Sequence, residues 1–464
     1  MDGKSLGILS PTEDSLALLA QHIARHLQKL DSGDPRLLKP SLNDDQGLRR
    51  LLREVSLETG GLTLDEAMTQ VVHGLTTRSL HTGHPRHLGY ANPSPSLVST
   101  VGDALAAAFD PQLAMSPSAP FALALERDAL GALASAAQLP SDPDASHCTT
   151  GASESLFTAL AMALTRAEPR YLDEGILGFA SRPRVYASHA AHRSLAKCLR
   201  MLGLGDRSGA WLRSTRADGV LDGATLAHAI DEDIRSGFLP LAVVATAGST
   251  ESGGIDKIDE LVHVGRARGL WLHVDAAWGG GAALSQRGRD AMFGAHQADS
   301  FAWDAHKWPG NSLATGMLFT PHRELLQRLF GVQAAYMAGG LAHRFATTVQ
   351  WSRRATGLKL WLMLATEGID GLRARCDKWL ELGDFLRAWC EREGVEVAET
   401  NSVFPVILLA IDNPAGRVRR VRHQGIGWVS TCEFQSRTWV RVAVTSPRTT
   451  REDLDAVLAA LTRG

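Results

Sequence analysis

A chain of 464 residues exceeds what one hydrophobic core usually supports, so two or three lobes are expected. Apolar residues at 44% and charged residues at 21% are those of an ordinary globular protein, and a formal net charge of −2 excludes bulk attraction to nucleic acid or to an anionic membrane. No apolar run approaches the roughly 20 residues of a membrane span, Leu6-Gly7-Ile8-Leu9 is too brief for a signal-peptide core, and five scattered cysteines without a CxxC pair point to free thiols in a reducing cytoplasm.

Residues 1 to about 80 read as helices, with Leu16, Leu19, Ile23, Leu27 and Leu30 at helical spacing behind a Thr12 start signal. The stretch 84–95 follows, and its prolines forbid a long helix. From about 145 short β-rich runs at 184–188, 241–245, 270–274, 300–303 and 314–319 alternate with helical periodicity at 153–167, 192–202 and 256–268. That alternation predicts an α/β domain with a largely parallel sheet, in which ligands collect beyond the carboxyl ends of the strands. After about 375 a smaller segment carries strands at 404–411 and 439–444 and a closing helix at 451–461. The expected division is 1–83, 84–374 and 375–464.

Two separate acids and bases then suggest one cofactor. Lys307 lies in Asp304-Ala305-His306-Lys307-Trp308-Pro309, flanked by apolar residues, and Asp275 ends the apolar run Leu272-His273-Val274. Pyridoxal phosphate (PLP) needs such a pair, a lysine for the Schiff base and a carboxylate for the ring nitrogen. Taken singly, Lys307 reads equally as a surface lysine and Asp275 as a cap on the turn Gly279-Gly280-Gly281. Ala277 shares the face of Asp275 and is small enough for a flat ring to lie against. Cys148-Thr149-Thr150-Gly151-Ala152-Ser153 leads into a helix whose N-terminus would favour a phosphate, or is an ordinary cap. His192, after a strand, offers a stacking surface or a simple helix cap. Arg441 sits inside the apolar strand Trp439-Val440-Arg441-Val442-Ala443-Val444, where it needs an anion: a substrate carboxylate or a structural salt bridge.

Several ordered stretches together resemble the group II PLP-dependent amino-acid decarboxylases, which include the glutamate, cysteine-sulfinate and aromatic amino-acid enzymes. They are His84-Pro85-Arg86, His192-Arg193-Ser194 with Lys197, Thr246-Ala247-Gly248-Ser249-Thr250, His273 through Gly281, and Ser352-Arg353-Arg354 followed by Leu358-Lys359-Leu360-Trp361. The resemblance implies the type I aminotransferase-like fold. Its large domain holds a mainly parallel seven-stranded sheet, with a helical N-terminal segment and a small α+β C-terminal domain. It further implies a homodimer with shared active sites, the N-terminal segment packing on the partner and residues near 109–120 reaching the partner's site. By the same resemblance Lys307 is the Schiff-base lysine, Asp275 the pyridine partner and His192 the stacked ring. Ala152 and Ser153 belong to the phosphate loop, Thr250, Ala277, Asp304 and His306 to the cofactor site, and Arg441 to the substrate carboxylate. Asp304 stands where relatives often carry asparagine.

The implied reaction is α-decarboxylation of an L-amino acid to the amine. Relatives reprotonate the substrate carbon with a loop tyrosine, for which Tyr336 is the candidate; Phe345, near the equivalent place, instead motivates decarboxylation-coupled oxidative deamination to an aldehyde. A carbon–carbon lyase of the same fold and a dimeric pseudoenzyme are the remaining alternatives. A desulfurase lacks its cysteine, since none falls between Cys198 and Cys376. No metal is expected.

Overall fold

The computed structural model describes residues 13–40, 46–47, 49, 62–91, 95–214, 216–332 and 344–463. Within the stretch expected to be helical lie α1 (Glu13–Asp31) and α2 (Leu64–Arg78); α3 (Leu97–Phe109) and α4 (Pro120–Ala137), not expected from the sequence, follow the proline-rich loop. Thr63 and Glu66 cap α2 reciprocally, and Pro120 begins α4 where its missing N–H costs nothing.

The large sheet is built from β1 (His147–Thr149), β2 (Pro183–Ser188), β3 (Gly209–Leu212), β4 (Leu239–Thr246), β5 (Trp271–Asp275), β6 (Ser300–Asp304) and β7 (Gly316–Phe319). Interleaved with them are α5 (Ala152–Ala167), α6 (Ser194–Met201), α7 (Gly223–Arg235), α8 (Ile258–Ala267) and, after β7, α9 (Arg323–Phe330). The strand order is β1-β7-β6-β5-β4-β2-β3. Pairing is parallel from β6 through β3, and β7 alone runs antiparallel to both its neighbours. Both faces are covered, so the strands read as continuous apolar runs. Val243, Ala245 and Val274 enter the core on one face, while Ala242, Val244 and Trp271 enter the core on the other.

The chain leaves this sheet through α10 (Thr356–Glu393), which has non-helical geometry at Gly368 (φ 68°). The division expected between 374 and 375 therefore falls inside a helix. Beyond it, β8 (Val406–Leu409), β9 (Ser430–Phe434) and β10 (Arg437–Ala443) form an antiparallel sheet in the order β8-β10-β9, accompanied by α11 (Pro414–Gln424) and α12 (Arg451–Thr462).

An aromatic block lies behind the strand ends of the large sheet. Trp308 stacks on Trp379 at 4.6 Å, and Trp278 meets Trp379 edge-on at 5.1 Å. The glycine run after β5 exists to meet this block. A Cβ on Gly281 would fall 1.7 Å from Trp308 Cδ1, and one on Gly279 would fall 2.3 Å from the Ala247 carbonyl oxygen. Among the described residues no helix is long and apolar enough to cross a membrane, and no group of three His, Cys, Asp or Glu side chains could hold a metal.

Candidate active site

The carboxyl ends of β1, β4, β5 and β6, together with the turn after β2, open on one cavity of about 470 Å³. Each strand delivers its contribution in the few residues after it stops. Thr150, Gly151, Ala152 and Ser153 follow β1, His192 and Ser194 follow β2, Thr246, Gly248, Ser249 and Thr250 end and follow β4, and Asp275, Ala277 and Trp278 end and follow β5. Asp304, His306 and Lys307 come from the end of β6, and Arg441 of β10 closes the cavity from the small sheet. The structure thus brings together every site residue expected from sequence that it describes. Tyr336 lies outside the described residues.

Asp275 is half-buried, set among protein atoms on the cavity wall. The hydrogen bond it receives among the described residues comes from the Ala277 N–H at 3.2 Å. Burial holds its carboxyl above the usual carboxylate range; the positive charges of Lys307 and His192 and the Ala277 amide oppose that, and the nearby Asp304 adds to it. The carboxylate thus caps Ala277 and not the expected turn Gly279-Gly280-Gly281, and among the described residues no cation lies in hydrogen-bond range of it.

Lys307 Nζ is 2.8 Å from Asp304 Oδ2, and its side chain is 25% exposed. Asp304 is buried, and its Oδ1 accepts the N–H of Ala152, the first residue of α5, at 2.7 Å. His306 Nε2 lies 3.6 Å from Asp304 Oδ2, and burial holds its ring below the ordinary histidine value. The Thr315 N–H donates to His306 Nδ1 at 3.3 Å, so neutral His306 carries its proton on Nε2.

His192 does not open a helix. It sits in the turn ahead of α6, where the Ser194 N–H donates to its Nδ1 at 3.3 Å and the Ser194 hydroxyl lies 2.9 Å from the same atom. The turn exists because the Ala191 N–H reaches back to the Ser188 carbonyl. With Nδ1 accepting, the neutral ring carries its proton on Nε2.

Arg441 is buried, and its Nη1 and Nε donate to the carbonyls of Gly89 (2.8 Å) and Glu251 (3.2 Å). No carboxylate lies within 4 Å of it among the described residues, so the salt-bridge reading fails. Burial lowers its guanidinium from the usual value, opposed by the Cys432 thiol and Glu251. A cation with only carbonyl partners, facing a cavity, retains capacity for an anion.

These residues fit PLP on several counts. Asp275 lacks a cation, Ala277 leaves room beside it, and the Gly151 cap of α5 brings no side-chain hydrogen bond of its own. Trp278 Nε1, buried beside the cavity, has no hydrogen-bond partner among the described residues. Sequence reasoning did not single out Tyr90, Thr246, Ser249 or Trp278 as site residues, although the last three lie inside or beside quoted stretches. Phe345, the residue that motivated the aldehyde route, is 3% exposed, stacked on Trp351 at 4.5 Å and absent from the cavity wall. It packs on Trp351 and beside Ala114.

Comparison with known proteins agrees with this geometry. Residues 49–408 match the family described as the pyridoxal-dependent decarboxylase conserved domain. The human cysteine sulfinic acid decarboxylase is 31% identical over 333 residues, covering 69% of this chain and 66% of that protein. The aromatic-L-amino-acid decarboxylase of Bacillus atrophaeus is 26% identical over 433 residues, covering 89% and 87%. The crystal structure of Oryza sativa TDC with PLP and tryptamine shares the fold, with a TM-score of 0.89 at 22% identity over 98% of both chains. The chain belongs to the pyridoxal-dependent decarboxylases, enzymes that use PLP to remove carbon dioxide from amino acids.

Proposed function

We propose that this enzyme takes the α-carboxylate from an L-amino acid and releases carbon dioxide and the amine. The observation that carries the reading is Arg441: a buried cation without a carboxylate partner, facing the same cavity as Lys307 and Asp275. When bound, the cofactor supplies an aldehyde for the substrate amine and a pyridinium ring that draws off electrons from the α-carbon. Lys307 is the residue proposed to carry it and Asp275 the one that keeps the ring nitrogen protonated. Ala152 and Ser153, at the N-terminus of α5, would take the phosphate, and Ala277 leaves the ring its room.

The remaining work is positioning. Arg441 grips the carboxylate and so decides which bond at the α-carbon stands out of the ring plane, an orientation effect that in general lowers a barrier by several kcal/mol. His192 Nε2 and Lys307 Nζ are proposed as proton carriers, with Tyr336 as the loop donor beside them. Measuring carbon dioxide, amine, peroxide and ammonia together across an amino-acid panel tests the product. Carbon dioxide and amine in equal amounts are expected; peroxide and ammonia in step with carbon dioxide would replace this reading by the oxidative one. Arg441→Lys should raise KM by roughly 10–100-fold and leave cofactor affinity alone, because an ammonium lacks the bidentate fork.

A homodimer is proposed as the working form. Leu97, Val101, Leu105 and Phe109 are 56%, 45%, 36% and 78% exposed, and their spacing of four lays them along one side of α3. Such an apolar stripe on a monomer marks an interface. Residues 109–120 do not line their own cavity and are proposed to reach the second copy's. Sedimentation should show a dimer, and Phe109→Asp combined with Val101→Asp should shift it to monomer with loss of activity.

A further inference from the structure

Residues 344–354 are bound along the edge of the large sheet, where β1 is last in the strand order with β7 as its neighbour. Two arginines take carbonyls at alternate residues there. Arg344 donates to Asp144 and, at 2.8 Å, to Ser146, and Arg353 donates to Cys148 at 3.3 Å. Arg353 is itself gripped by Glu126 of α4, whose two oxygens accept Nη1 and Nη2 at 2.7 Å each. Glu126 is fully buried and the Arg353 side chain nearly so, and neither can drift without leaving a charge unpaired in the interior. Gln350, ahead of Arg353 in the same stretch, is thereby brought to the first turn of α5. Its Nε2 donates to Glu154 Oε2 at 2.7 Å, and the same oxygen accepts the Thr150 N–H at 2.9 Å and the Thr150 hydroxyl at 2.7 Å. The Gln350 carbonyl in turn accepts the Thr348 hydroxyl at 2.9 Å.

We propose that Gln350 is a positioning residue for the cofactor phosphate, acting through Glu154 and Thr150. Glu154 is a carboxylate in the first turn of the helix whose N-terminus is assigned to that phosphate, and a loose negative charge there would work against the ligand. Gln350 fixes the carboxylate against Thr150, so that Glu154 shapes the turn Thr150-Gly151 and does not swing toward the anion. A phosphate seat made from backbone N–H groups and a hydroxyl works only as well as the turn that holds them in place. Thr150 and Gly151 stand on the cavity wall at one end of this brace, and the buried pair of Glu126 and Arg353 anchors the other. Gln350 itself is not on the cavity wall, and its influence on the seat passes through the Glu154 oxygen. This inference rests on the N-terminus of α5 receiving the phosphate.

The test titrates full-length enzyme freed of cofactor with two probes, PLP and pyridoxal, followed by absorbance. Pyridoxal offers the same aldehyde without the phosphate, so the ratio of the two affinities reads the phosphate seat alone. Gln350→Leu removes the donor and changes no charge. Gln350→Asn, one methylene shorter and out of reach of Glu154, serves if the leucine variant does not fold. The expected result is a PLP affinity about tenfold weaker, the scale of one hydrogen bond to a charged group, with pyridoxal affinity unchanged within about twofold. An unchanged ratio in folded variant overturns the proposal. So does an equal fall for both probes, which is what a merely structural glutamine would give. A wild type that holds pyridoxal as tightly as PLP would instead overturn the phosphate assignment on which the inference stands.

Discussion

Replacing Lys307 with alanine is expected to leave the protein colourless after exposure to PLP and dialysis, and to cut turnover by at least about a thousandfold. The covalent anchor is lost, and with it the amine that exchanges with substrate. A second effect follows from the geometry. Asp304, buried and 2.8 Å from the vanished amine, would be left with His306, whose ring burial holds below the ordinary histidine value, as its nearest basic group. An orphaned buried acceptor of this kind costs about 1–3 kcal/mol, so the melting temperature of cofactor-free Lys307→Ala should fall. Adding Asp304→Asn should restore it without restoring activity. Borohydride reduction followed by peptide mass mapping checks the covalent claim directly, and an unaltered yellow complex in Lys307→Ala would defeat it.

Asp275→Asn should produce the second large loss, and an opposite change in stability. An amide cannot hold a pyridine nitrogen protonated, so turnover is expected to drop roughly a thousandfold, about 4 kcal/mol of barrier, with PLP still attached to Lys307. In the cofactor-free protein burial raises the Asp275 carboxyl above its ordinary 3.8. The folded state then holds its proton more tightly than the unfolded state, so this residue subtracts stability as pH rises from 3.8 through its raised value. Below that window the subtraction is absent. Cofactor-free Asp275→Asn should accordingly melt above wild type at neutral pH and converge with it in acid. PLP should narrow the neutral-pH gap, because the pyridinium gives the carboxylate the cation it lacks. A variant that loses stability at neutral pH, or keeps its turnover, would show that Asp275 has a different task.

Much of this arrangement could be read from the residues, for identifiable reasons. The inner strands β4, β5 and β6 are buried along most of their length, so their apolar runs are long enough to recognise. Asp275, Lys307 and Arg441 stood out as charges set in apolar surroundings, and each faces the cavity. The short elements escaped. β1 has three residues, and β9 alternates half-exposed and exposed positions, too little apolar signal to register. Tyr90, Thr246 and Ser249 are ordinary side chains in the sequence; only the convergence of distant strand ends makes them neighbours. His192 was assigned to a helix because helical periodicity begins nearby, whereas the Ser188–Ala191 hydrogen bond forces a turn first. Phe345, placed by counting back from Arg353, is stacked on Trp351, a contact that the count alone does not reveal.

Arg441 belongs to the three-stranded sheet, while the lysine, both aspartates and the amides of α5 belong to the seven-stranded one. On the proposed reading, the grip on the carboxylate to be cleaved and custody of the reagent that cleaves it are housed on separate scaffolds. Exchanging the last quarter of the chain for that of a kindred enzyme should therefore disturb the hold on the carboxylate and leave the vitamin's berth as it was.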